Sequence, residues 1–84
     1  MDSFEEIKTL IVQHIPDAIV EIDDLTGTAN HLGLIVVSDT FQDLPLLEQH
    51  RKVMSVLSEK LSKSLHAVKI KTYTKKRFQG LKQN

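Results

Sequence analysis

His66-Ala67-Val68-Lys69-Ile70-Lys71-Thr72-Tyr73-Thr74 alternates strictly, with His66, Val68, Ile70, Thr72 and Thr74 in one phase and Ala67, Lys69, Lys71 and Tyr73 in the other. A period of two over nine residues is the pattern of a half-buried strand, here with one apolar face and one basic, solvated face. Upstream, Leu46, Val53, Leu57 and Leu61, with Leu47 and Met54 beside them, form the apolar stripe of a long helix. Pro45 suits its first position; the helix is expected to end near Ser64, and a break around Glu59 to Ser62 fits the pattern. Before the turn region Asp39 to Pro45, His31 to Ser38 reads as a strand weighted by β-branched Val36 and Val37. A strand–helix–strand crossover of this kind makes its two strands parallel.

Farther upstream, Asp17 to Asp23 sets Ala18, Val20 and Ile22 against Ile19, Glu21 and Asp23, which predicts a strand antiparallel to the next. The connection Asp24 to Asn30 exceeds the usual two to five residues of a hairpin loop. Ser3-Phe4-Glu5-Glu6 fits a capping box. Phe4, Ile7, Leu10 and Ile11 recur at helical spacing, predicting a first helix that stops at about His14, before Pro16. Phe78 and Leu81, after Lys75, allow one or two turns of terminal helix. The expected fold is α+β in the order α-β-β-α-β-α, a three-stranded mixed sheet with helices on one face. Its expected core is Phe4, Ile7, Leu10, Ile11, Val20, Ile22, Val36, Val53, Leu57, Val68 and Ile70.

Eighty-four residues suit one domain, 1–84, sharing one core. The chain has no cysteine, which excludes disulfides, thiolate catalysis and thiolate metal sites supplied by this chain. The longest apolar run, Leu34 to Val37, is far short of a bilayer span of roughly 20 residues, and the acidic N-terminus does not resemble a secretory signal. A cytoplasmic location without membrane attachment is expected. The zero net charge hides an asymmetry: residues 1–42 carry eight acids and one base, whereas Lys60 to Lys82 contains eight bases and no acid. Such a run is either a solvated surface or a docking face for an acidic partner or nucleic acid.

No serine lies in a nucleophile elbow, and the three glycines form no phosphate-binding loop, so neither an enzyme nor a small-molecule substrate is expected. Among the histidines, His14 suits a helix C-terminus, and His50 lies mid-helix beside Arg51 and Lys52. His31 and His66 each open a strand. Singly, each reads as a polar residue at a strand edge; together, at the starts of neighbouring parallel strands, they make an incomplete metal site.

Three segments carry a resemblance: Ser38-Asp39-Thr40-Phe41, Gln49-His50-Arg51-Lys52-Val53, and Leu65 to Thr74. They resemble the BolA family's Ser-x-x-Phe, its helical Arg-His-Arg-x-Val, and its closing His-Ala-Leu-x-Ile-x-Thr-x-Thr-Pro. This sequence departs from the pattern at Asp43, where glycine is common, at Gln49 in place of arginine, and at Lys75 in place of the closing proline. These departures are expected to touch turns and surface. The resemblance implies a class II KH-like fold and a heterodimer with a monothiol glutaredoxin, sharing a [2Fe–2S] cluster. There the glutaredoxin supplies a cysteine and bound glutathione, and the histidine of the final motif, here His66, supplies a ligand. The family's second ligand comes from the loop between the first two strands; this chain has neither His nor Cys in Asp24 to Asn30, and His31 lies just past it. No cluster is expected on the isolated protein. The alternative is a DNA-binding regulator, using a basic surface of Lys69, Lys71, Tyr73, Lys75, Lys76 and Arg77. Against it, the Gly-x-x-Gly backbone clamp of KH domains is absent and aromatic platforms are few.

Overall fold

The structure is a computed structural model that describes residues 3–24, 31–63 and 67–82. Helix α1 (Ser3–His14) leads into β1 (Ile19–Asp24), β2 (His31–Val37), a 3-10 turn at Asp39–Phe41, α2 (Leu46–Lys63), β3 (Ala67–Tyr73) and α3 (Lys75–Lys82). This is the expected order, with the expected β1-β2-β3 sheet: β1 antiparallel and β3 parallel to the central strand. His66, Ser64 and residues 25–30, which carry parts of the sequence reading, lie outside the described residues, as do the side chains of His31 and Leu61.

The core forms where the inward phase of each period meets. Ile7, Ile11 and Ile15 from α1, Leu32, Leu34 and Val36 from β2, Phe41 from the 3-10 turn, and Val53 and Leu57 from α2 are all buried. Phe4, Leu10, Val20, Ile22, Val68 and Ile70 pack against them. All eleven expected core residues are therefore in the cluster or against it. The buried residues added to that set are Leu32 and Leu34 of β2, which lies between two strands, together with Ile15 and Phe41.

The apolar stripe of α2 is narrower than its composition suggests. Leu46 and Leu47 are 59% and 61% exposed, and Met54 is 40% exposed. Leu46 lies at the start of the helix, in an open groove beside Ile70 to Tyr73, and Leu47 and Met54 lie off the buried Val53–Leu57 face. Pro45 sits just before the helix, its carbonyl accepting the Gln49 N–H at 3.1 Å, which makes it the N-cap rather than the first helical residue. No break occurs at Glu59 to Ser62; the helix is continuous to Lys63.

On the other sheet face, the register makes three rows across the strands: Ile19–Val37–Tyr73, Glu21–Ile35–Lys71 and Asp23–Gly33–Lys69. The Tyr73 ring meets Phe78 of α3 at 5.7 Å between centroids, anchoring the terminal helix to the end of β3.

Candidate functional site

At one end of the sheet, the β2–β3 register pairs His31 with Ala67, the residue that follows His66 in the chain. Adjacent strands lie about 4.8 Å apart. His31 opens β2, and its partner on β3 is joined by one peptide bond to the histidine of the final motif. The other two histidines are elsewhere. His14 Nδ1 lies 3.0 Å from the Leu10 carbonyl in the last turn of α1, a local bond that suits a structural role.

The opposite end of β2 is closed by a set of side-chain hydrogen bonds. Ser38, fully buried, donates its hydroxyl to Asp17 Oδ1 at 2.5 Å and accepts the Thr40 N–H at 3.0 Å. The Asp39 N–H donates to Asp17 Oδ2 at 3.0 Å, and Lys75 Nζ stands 3.8 Å from that same oxygen. The Ser38 hydroxyl, the Asp39 amide and the Lys75 charge hold the Asp17 carboxyl below its ordinary range, against a smaller opposing effect of desolvation. Asp39 Oδ1 in turn accepts the Lys75 N–H, capping the start of α3.

These contacts account for the three departures from the BolA pattern. Lys75 is the first residue of α3, a position that favours proline; as lysine it keeps an N–H, and Asp39 accepts it. Asp43 has φ of 67°, the left-handed region where glycine carries no Cβ penalty and aspartate is tolerated. Gln49 is not a surface substitution. It donates to the carbonyls of Leu44 (2.8 Å) and Phe41 (3.4 Å) and accepts the Thr72 hydroxyl at 2.6 Å, joining α2, the turn and β3.

The expected basic surface divides into three. Lys69 and Lys71 are exposed on β3, but two strands away across the same face lie Asp23 and Glu21. Two strand spacings are about 10 Å, and a shallow depression lined by Asp23, Gly33, Leu34, Ile35, Lys69 and Lys71 bridges the rows. Lys75 is half-buried and committed to Asp17. Lys76 and Arg77 remain exposed at the start of α3, with the Arg77 guanidinium 5.7 Å from the Tyr73 ring centre. This surface is zwitterionic across the sheet and positive along β3 and α3.

His50, open in the sequence to packing or to solvent, is half-buried in a groove of about 270 Å³. Leu46 joins it from α2, the stretch Ile70 to Tyr73 from β3, and Arg77 from α3. The signal available was the i, i+4 spacing of Leu46 and His50, which puts both on one helix face.

An α-β-β-α-β-α module of three helices and a three-stranded mixed sheet defines a small α+β domain. This chain belongs to the BolA-like protein family, whose family model matches residues 6–77. It is 37% identical to an uncharacterised protein of Rickettsia prowazekii, over 83% of this chain and 91% of that one. It is 40% identical to the DNA-binding transcriptional regulator BolA of Escherichia coli, over 66% of this chain but only 52% of that protein. Among solved structures, BolA1 from Arabidopsis thaliana superposes with a TM-score of 0.82 at 22% identity, covering 90% of this chain and 95% of that one, a likeness of fold. Among the described residues, no helix is long and apolar enough to cross a membrane.

Proposed function

We propose that this chain is a non-catalytic partner of a monothiol glutaredoxin, completing the ligand set of a shared [2Fe–2S] cluster through His66, with His31 as the second candidate. The observation that supports this reading is the pairing of His31 with Ala67, next in sequence to His66. The chain has no cysteine, so sulfur ligands come from the glutaredoxin and its glutathione. Imidazole in place of thiolate on one iron raises the cluster's reduction potential, as in Rieske centres. That makes the shared cluster easier to reduce than an all-sulfur one.

The test mixes the protein with a cluster-loaded monothiol glutaredoxin and follows visible absorption and circular dichroism. A one-to-one heterodimer with altered spectra is expected. His66→Ala should abolish the spectral change, His31→Ala should weaken it, and His14→Ala should leave it intact. A His66→Ala protein with an unaltered cluster spectrum removes the assignment.

A second reading, DNA binding, is favoured by the name of the Escherichia coli relative and by exposed Lys69, Lys71, Lys76 and Arg77. The acids of β1 across the same sheet face oppose it, because a phosphate backbone following β3 would approach Glu21 and Asp23. Only non-specific binding is expected, with Kd on the order of 10⁻⁴–10⁻⁶ M at physiological salt. Nanomolar, sequence-selective anisotropy titrations would reverse the order of the two readings.

A further inference from the structure

Strand β3 closes the sheet on one side. In a parallel ladder, residues alternate between those whose N–H and C=O both bond to the neighbouring strand and those whose two groups face away. The Ser38 N–H donates to the Tyr73 carbonyl at 2.9 Å, so Tyr73, Lys71 and Lys69 form the inward set. The backbone groups of Val68 and Ile70 therefore face the outer edge, two donors and two acceptors along about 7 Å, while Thr72, 5% exposed, is covered. No proline interrupts that stretch.

Beside this edge lies the groove between α2, β3 and α3. Its chemistry is specific. Leu46, 59% exposed, and Ile70 give it an apolar side, while Lys71 and Arg77 make it cationic. No acid occurs in the sequence between Lys60 and Lys82, and Glu48 on α2 stands 3.3 Å from Arg51. A strand laid along the edge would alternate its side chains. Those on the open sheet face would meet Lys69 and Lys71; those on the helix side would meet Leu46 and Ile70.

We propose that the outer edge of β3 takes an extended acidic segment of a partner protein as a fourth strand, with carboxylates alternating with β-branched residues. Backbone pairing supplies the affinity in such additions, and the alternate side chains supply the selectivity. The charge complement fits one strand without a helix on its back, since Leu46 and His50 already occupy the helix side of the groove. The acidic β1 of a second copy carries α1 against it, which an isolated extended segment does not. This inference is independent of the cluster assignment.

The probe is a synthetic amidated peptide, Glu-Val-Glu-Val-Glu-Val-Glu, titrated into the full metal-free chain without glutaredoxin and followed by amide NMR and hydrogen exchange. Saturable binding is expected, with slowed exchange at Val68 and Ile70 and affinity that falls as salt rises. Ile70→Pro removes one outward N–H without touching the β2 ladder and should weaken binding about tenfold. Should that variant lose its fold, N-methylation of the peptide backbone on its bonding side asks the same question of the intact protein. Absence of saturation at millimolar peptide, or binding insensitive to N-methylation, overturns the proposal. So does protection of the two amides that rises with protein concentration alone, which assigns the edge to a second copy. Because no metal is present, failure here leaves the glutaredoxin reading standing, and failure of the cluster test leaves this one.

Discussion

Strand β2 leaves the sheet at Ser38 into a clamp made by Asp17, Asp39 and Lys75, whose hydrogen bonds join three segments more than 20 residues apart in sequence. It enters the sheet at His31, opposite Ala67, where the adjoining sequence is the long connection to β1 and the histidine of the final motif. At the first end each polar group is used by the fold, so the residue types there are explained by stability. At the second, the register sets His31 opposite Ala67, the residue that follows His66 in the chain. On the proposed cluster reading, stability and ligand chemistry would be divided between the two ends of one strand, and could be mutated apart.

The largest expected effect tests that division directly. His66→Ala should remove the glutaredoxin-dependent spectral change entirely while shifting the melting temperature little. Ser38→Ala should do the reverse. It strips a buried hydroxyl from the Asp17 carboxylate and leaves the Thr40 N–H without its partner. Hydrogen bonds to charged groups contribute about 1.5–3 kcal/mol; with Asp17 partly solvated, a loss of about 1–2 kcal/mol is reasonable. For a domain of this size each kcal/mol corresponds to roughly 4–8 °C in Tm. A Ser38→Ala protein that also loses the spectral change, or a His66→Ala protein that melts far earlier, breaks the division.

Acid titration sharpens the clamp's side of it. The Asp17 carboxyl is held below its ordinary value of 3.8 by the Ser38 hydroxyl, the Asp39 amide and Lys75. Its stabilising effect is therefore complete above that ordinary value and is lost as pH falls through the lower folded value. Asp17→Asn keeps an acceptor for Ser38 but removes the charge. Urea midpoints of the two proteins should differ by a constant amount from pH 7 down to about pH 5 and converge below pH 4. A gap that persists unchanged to pH 2 assigns the effect to shape and not to charge.

How legible the molecule was in its sequence follows the same contrast. The strands of β1 and β3 and the inner positions Val53 and Leu57 were readable because periodicity reports which phase is buried. Leu46, Leu47 and Met54, in or beside the apolar stripe but outside the expected core, are exposed, because helical spacing reports an apolar stripe but not how much of it is covered. The clamp and the Gln49 bridge to Thr72 were invisible, since their partners are 21 to 36 residues apart and only the folded chain brings them together. His66 was singled out by family resemblance; its residue type and strand position alone do not distinguish a ligand from a polar strand edge.

The smallest expected effect belongs to Asp43, beside the clamp but outside its hydrogen bonds. Its φ of 67° is the one positive value among the described non-glycine residues. The strain comes from Cβ, which crowds the following carbonyl in the left-handed region; aspartate tolerates this better than most residues, and glycine avoids it. Glycine also gives the unfolded chain more freedom to lose, which offsets part of the gain. Asp43→Gly should therefore raise stability by only about 0.5–1 kcal/mol, and Asp43→Ala should lower it, because alanine keeps the Cβ and loses the local polar tolerance. Both variants should keep the cluster spectra, since this turn lies at the end of the fold away from His31. Denaturant midpoints provide the measurement. If glycine destabilises as much as alanine, the aspartate carboxylate contributes more than the backbone geometry costs, and the turn belongs with the clamp.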